Sequence, residues 1–195
     1  MINLVFFGGS EFSVYVLDEL LLHKIKPDLI VTTPDKPKGR KLILTPTPVK
    51  VWGQNNNIEV IDPVSLRNNP DLISKLSALN PQLFLVASYG KIIPKEIFEI
   101  PERKTLNIHP SLLPKYRGAS PIQSQILDDA EMGVTIMQID EGMDTGAIVI
   151  QKFLPSPSQG EGQSREAGWG GVGKKELEKT LATEGARLFA HILPE

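Results

Sequence analysis

The chain has 195 residues, enough for one well-buried domain or a domain with an appendage and too few for two full domains. Hydrophobic residues at 41% and charged residues at 23% are ordinary for a globular protein, and the net charge of -2 gives no global attraction to polyanions, so nucleic acid would need a local basic patch. No cysteine is present, the three histidines are scattered, and no apolar run nears the ~20 residues that cross a bilayer; this argues against disulfides, thiolate nucleophiles, cysteine-ligated zinc, a histidine-rich metal site and membrane spans.

The N-terminus enters "INLVFFGGS" directly, without a basic segment or small-residue cleavage site, and the cytoplasm is the expected compartment. "INLVFF" is a continuous apolar run closed by Gly8 and Gly9, the pattern of a buried strand; Phe12, Val16 and Leu20 then recur at helical spacing behind Ser10 as N-cap. "DLIVTTP" predicts a second strand, "TPVKVWGQNNN" a short helix and "IEVIDP" a third strand. "NPDLISKLSALN" reads as a helix, "QLFLVAS" as a central strand covered on both faces, and "KTLNIH" as a fifth strand. "SPIQSQILDD" looks helical, and "GVTIMQID" and "AIVIQKFL" read as strands joined by the loop "EGMDTG". The alternation predicts an α/β fold, an open, mostly parallel twisted sheet with helices on both faces, whose ligands bind at the carboxyl ends of the strands.

From Pro155 to Gly173 periodicity is lost, with six glycines, two prolines and three serines in nineteen residues. This composition predicts a mobile linker or insertion, with Trp169 its one candidate anchor. "KKELEKTLATEGARLFAHIL" then resumes a helix whose Leu177, Leu181, Leu188 and Ile192 form one face for docking on the sheet.

The chain lacks the G-x-G-x-x-G fingerprint, the phosphate loop and the G-x-S-x-G elbow, which removes most support for nicotinamide, ATP and serine-hydrolase chemistry. What remains is a polar set at predicted strand ends: Asn107 and His109 on the fifth strand, and Asp144 in "EGMDTG". Residues two apart on an extended strand leave on the same face, so an amide and an imidazole can both donate toward one carbonyl oxygen. A carboxylate beside that histidine would orient the ring, stabilise charge on it and accept a proton from an attacking amine. Such a set suits acyl transfer through a tetrahedral intermediate. Taken singly, each residue also serves as a turn or half-buried polar group, and spacing alone does not bring His109 to Asp144. Ser111 lies too near His109 for a triad, and a folding or ligand-contact role is expected of it.

A second constellation runs from Pro34 to Lys50. Lys36, Lys38, Arg40, Lys41 and Lys50 stand against Asp35, a local charge of +4 in a proline-stiffened loop on the edge expected to hold the site. Either it is a solvated face or it holds a phosphate backbone.

Together "NIHPSLLPKYRGASPIQ", "GVTIMQIDEGMDTGAIV", "PDKPKGRK" followed by "PTPVK", and "VASYGKIIP" resemble the methionyl-tRNA formyltransferase family, in order from residue 2 to about 153. The asparagine, histidine and aspartate alone would indicate only the wider folate-dependent formyltransferases; the basic loop and the "GGSEF" turn are similar to the tRNA enzyme. The resemblance implies a Rossmann-like fold, transfer of a formyl group from 10-formyltetrahydrofolate to the α-amine of initiator methionyl-tRNA, and Asn107, His109 and Asp144 as the catalytic set. It places the folate along Ser111, Leu112, Leu113 and Pro114 and near Ser88, Tyr89, Gly90 and Ile92, gives Lys38, Arg40 and Lys41 to the tRNA, and implies no metal. A monomer is expected.

On that basis residues 1–154 are expected to form the formyltransferase domain, 155–173 the linker or insertion, and 174–195 a terminal helix docked on that domain. The family has a shorter connection at 155–173, and it continues past "HILPE" into a second, tRNA-holding domain. The expectation is therefore a catalytic domain without its tRNA-binding companion. Two other readings stay open: a formyltransferase for a small amine such as glycinamide ribonucleotide or an amino sugar nucleotide, and a non-catalytic remnant that binds folate or RNA.

Overall fold

The computed structural model describes residues 2–39, 41–155 and 173–193. The linker expected at 155–173, with Trp169, falls almost wholly outside the described residues, as does Arg40. Among the described residues, seven strands form one sheet in the order β5-β2-β1-β6-β7-β8-β9. They are β1 (Leu4–Gly8), β2 (Leu29–Val31), β5 (Glu59–Ile61), β6 (Leu83–Ala87), β7 (Thr105–His109), β8 (Met132–Gln138) and β9 (Ile148–Leu154). The first five of these pair in parallel, and β8 and β9 add an antiparallel edge. The apolar runs explain the interior: all five residues of β1 and all five of β6 are buried, as strands covered on both faces must be.

Side-chain alternation divides the core in two. Leu4, Phe6, Leu83, Leu85, Leu106, Ile108, Val134 and Ile136 face α1 (Glu11–Leu22), α2 (Pro48–Asn55), α5 (Pro121–Leu127) and α6 (Lys174–Ile192). Val5, Phe7, Phe84 and Val86 face α3 (Pro70–Ala78) and α4 (Lys95–Phe98). Helix α4 reaches as far as β7, where the buried Thr105 hydroxyl donates to the Phe98 carbonyl (2.7 Å).

Helix α6 fixes the height of β7. Leu177, Leu181, Ala182, Gly185, Ala186 and Phe189 are buried, and a Cβ on Gly185 would run into Ile108 Cγ2. The glycine permits close approach directly beneath the residue between Asn107 and His109. The basic segment is not a plain loop: β3 (Lys36–Lys38) and β4 (Ile43–Thr45) pair antiparallel as a separate ribbon. Its Leu42, Ile43 and Leu44 are exposed at 71%, 62% and 65%, so the ribbon is held by local pairing and has no core of its own.

Candidate active site

Strand order reverses at β1, which has β2 on one side and β6 on the other. The carboxyl ends of β1 and β6 are tied there by a hydrogen bond from Ser10 Oγ to Ser88 Oγ (2.8 Å), and the Ser13 hydroxyl donates to the Ala87 carbonyl (2.6 Å). Beside this switch point opens a cleft of ≈ 750 Å³, bounded by the ends of β6 and β7, the loop after β8 and the first turn of α6. Its size is in the roughly 300–1,000 Å³ range of small-molecule sites.

Asn107 and His109 both line this cleft, on the face of β7 opposite Leu106 and Ile108. Asp144 reaches it from the loop between β8 and β9. The sequence-predicted trio is thus brought together. His109 is buried, its Nε2 lies 3.0 Å from the Tyr116 carbonyl, and its Nδ1 lies 3.6 Å from Asp144 Oδ2. The first contact is a hydrogen bond with the ring as donor; the second is too long for one, so the carboxylate acts on the ring through charge. With Nε2–H committed to a carbonyl, Nδ1 is the ring nitrogen left to face the aspartate and the cleft. Asp144 Oδ2 also accepts a hydrogen bond from the Gly118 amide (2.8 Å). Asp144 sits at φ 53°, a left-handed angle that aspartate tolerates better than most residues, and its loop is closed by Asp140, whose Oδ1 accepts from the Gly142 amide (3.0 Å) and the Thr145 hydroxyl (2.8 Å).

Of the residues that the resemblance gives to folate, Ser88, Tyr89, Gly90 and Ile92 line the cleft, whereas Ser111, Leu112, Leu113 and Pro114 do not. These four form a brace beside it. Ser111 is buried and its hydroxyl donates to the Lys115 carbonyl (2.8 Å). Leu112 packs on Gly133, where a Cβ would collide with its side chain. Thr135, opposite His109 across the β7–β8 ladder, donates to the Ser111 carbonyl (2.6 Å) and accepts from the Leu113 amide (3.1 Å). Gln151 Nε2 adds bonds to the Leu113 carbonyl and the Thr135 hydroxyl, both 2.8 Å. The signal for a buried Ser111 lies on β8 and β9, out of reach of a local reading. Tyr89 is also mostly structural: its ring meets Phe7 edge-on at 5.5 Å, and its buried hydroxyl has no hydrogen-bond partner among the described residues. Burial pushes that hydroxyl's pKa up.

The cleft is mixed in charge, with Lys91 and Lys174 set against Glu11, Asp140, Glu141, Asp144 and Glu178. Lys91 lines it and donates to the carbonyls of Pro63 (3.0 Å) and Val64 (2.9 Å); burial, and then the charge of Lys36, pull its pKa down against a smaller opposing pull from Asp62. Lys36 is thus near enough to Lys91 to act on it through charge. Lys38 and Lys41 are exposed on the ribbon and its turn. Lys50 is spent internally, with Asp35 and Asp62 each 2.8 Å from its ammonium, and hydrogen bonds to those two carboxylates raise its pKa. Sequence reasoning missed Lys91 and the backbone partners at Tyr116 and Gly118. Among the described residues no group of three or more histidines or carboxylates is arranged to hold a metal ion, and no helix is long and apolar enough to cross a membrane.

The fold and the site define an α/β protein of Rossmann-like design that presents an amide, an imidazole and a carboxylate at the carboxyl edge of its sheet. Its residues 2–159 match the formyl transferase family, and the chain belongs to that family. It is 44% identical over 154 residues to the methionyl-tRNA formyltransferase of Caldicellulosiruptor saccharolyticus, a match covering 78% of this chain and 50% of that one. With the methionyl-tRNA formyltransferase of Dictyoglomus thermophilum it shares 38% identity over 194 residues, 98% of this chain and 58% of the relative. The chain thus spans about half the length of the curated relatives it matches. Among solved structures, phosphoribosylglycinamide formyltransferase from Bacillus halodurans superposes with a TM-score of 0.70 over 96% of this chain and 91% of that one, at 20% identity. That likeness establishes the fold.

Proposed function

We propose that the protein transfers the formyl group of 10-formyltetrahydrofolate to the α-amine of initiator methionyl-tRNA, in the cytoplasm and as a monomer. The observation that carries this reading is the meeting of His109 and Asp144 at 3.6 Å in a cleft that Asn107 also lines. The names of the two relatives described above favour the tRNA acceptor.

The folate is a substrate in this reading, and its ring system would lie against Ser88, Tyr89, Gly90 and Ile92 in the apolar part of the cleft, with the formyl group directed at Asn107 and His109. The amine nitrogen attacks the formyl carbon, and negative charge gathers on the carbonyl oxygen. The Asn107 amide donates to that oxygen, and so does the Nδ1–H of His109 when the ring is the imidazolium with protons on both nitrogens, each such donor being worth about 3 kcal/mol at the transition state. As the bond from the formyl carbon to N10 breaks, the amine loses one proton and N10 gains one. Asp144, with Oδ2 held by the Gly118 amide, takes up the amine proton and delivers it onward. Lys38 and Lys41, with Arg40 next to Lys41 in the sequence, would hold the RNA backbone beside the cleft through phosphate contacts.

The test is to incubate the protein with 10-formyltetrahydrofolate and offer charged initiator tRNA, glycinamide ribonucleotide and an amino sugar nucleotide in parallel. Formylation of the methionyl-tRNA above the level of the two small amines is expected. Formylation of a small amine with none of the tRNA would overturn the acceptor assignment, and donor binding without transfer to any acceptor would overturn the activity.

A further inference from the structure

The turn that leaves the His109 loop touches both the imidazole and the carboxylate of the site through its backbone. The Tyr116 carbonyl faces His109 Nε2 at 3.0 Å, and two residues later the Gly118 amide donates to Asp144 Oδ2 at 2.8 Å. The polarities match: an acceptor meets a ring that must donate, and a donor meets a carboxylate. The turn is fastened at its root by the Ser111 hydroxyl on the Lys115 carbonyl and by the Lys115 amide on the Leu112 carbonyl (3.2 Å). Both ends use backbone angles that L-residues avoid, φ 57° at Tyr116 and φ 98° at Gly118. The glycine angle lies beyond the small left-handed region that other residues visit. Space is not the constraint there, because a Cβ on Gly118 would meet only Met143 Sδ, at 3.7 Å. What a side chain removes at this position is the angle that aims the amide.

The geometry points to Gly118 as a positioning residue that sets the His109–Asp144 pair through the backbone of residues 116–118. Its amide occupies Asp144 Oδ2 and leaves the other carboxylate oxygen to receive a proton, while the turn it closes holds the imidazole by the Tyr116 carbonyl. The inference rests on the proposed formyl transfer and adds a residue that acts on the His109–Asp144 pair through its backbone.

The experiment compares wild type, Gly118→Ala and Gly118→Asn with Arg117→Ala, whose exposed side chain lies in the same turn. Gly118→Ala is expected to lower kcat by about 10²-fold, the scale of a misplaced catalytic group, with KM for the formyl donor changed less than about twofold. Gly118→Asn, which accepts a positive φ more readily, should recover part of the loss if the alanine variant folds poorly. Arg117→Ala should stay within about twofold of wild type. The ¹⁵N shifts of the His109 ring should move in both Gly118 variants and not in Arg117→Ala, a readout that needs no acceptor and so stands even if no formyl transfer is found. An unchanged kcat with unchanged ring shifts in Gly118→Ala, or an equal loss in Arg117→Ala, would overturn the inference.

Discussion

Thr135→Val tests whether the site is held by a buried hydroxyl on β8. Thr135 is fully buried and its Oγ1 has three partners: it donates to the Ser111 carbonyl at 2.6 Å and accepts from the Leu113 amide at 3.1 Å and Gln151 Nε2 at 2.8 Å. Valine keeps the shape and removes all three bonds. Gln151 retains the Leu113 carbonyl, so the net loss is one buried carbonyl and one buried amide left without partners. Each costs about 1–3 kcal/mol, and the added methyl returns about 0.8, which leaves a destabilisation of about 3 kcal/mol. For a chain of this size that lowers the melting temperature by about 6–12 °C. Thr135→Ser keeps the hydroxyl and loses one methyl, a cost of about 1 kcal/mol. Thermal unfolding followed by circular dichroism should therefore rank wild type above serine above valine. Hydrophobic burial alone predicts the opposite order of the two variants, and a valine variant as stable as the serine one would refute the reasoning.

Tyr89→Phe removes a buried hydroxyl that has no partner among the described residues, so its melting temperature should equal or exceed that of wild type, with donor KM unchanged. A loss of more than about 1 kcal/mol in chemical denaturation would mean the hydroxyl is bonded in solution. Glu184 is opposed by its own burial, yet hydrogen bonds and charge from Lys152 and Arg187 win and hold its pKa below the usual carboxylate value. A depressed carboxylate pKa stabilises the fold above the unfolded-state value and loses that contribution as pH falls through the folded value. Lys152→Met should thus destabilise the protein at neutral pH, by a difference that shrinks as the acid range is entered, and a pH-independent difference would exclude the ion pair as its cause. Replacing Lys38 and Lys41 together by alanine should weaken tRNA use and flatten its dependence on salt, by roughly 0.7–0.9 in the logarithmic slope for each phosphate no longer neutralised. An unchanged slope would make the ribbon a solvated face.

Much of the sheet was legible because its order is written in local patterns. β1 and β6 are apolar at every position since helices cover both their faces, and the spacing of Asn107 and His109 places them on one face without any structure. The ribbon β3–β4 was not legible: Lys36, Pro37 and Lys38 carry no apolar alternation, and their pairing with Ile43–Thr45 owes nothing to burial. Neither was the depth of Ser111 to Leu113, which depends on Thr135 and Gln151 from strands that follow later in the chain. The clamps on His109 and Asp144 escape a reading of side chains for another reason. They are a carbonyl and an amide, and only the glycine of "KYRG" hints that the backbone there has unusual work.

Whether Asn107, His109 and Asp144 carry out formyl transfer is decided by the single-turnover rate of His109→Ala, with donor binding measured separately and preserved. If the imidazole donates to the developing oxyanion, the transfer step falls by at least about 10²-fold. A rate within about twofold of wild type would remove His109 from the chemistry and, with it, the catalytic reading of the cleft.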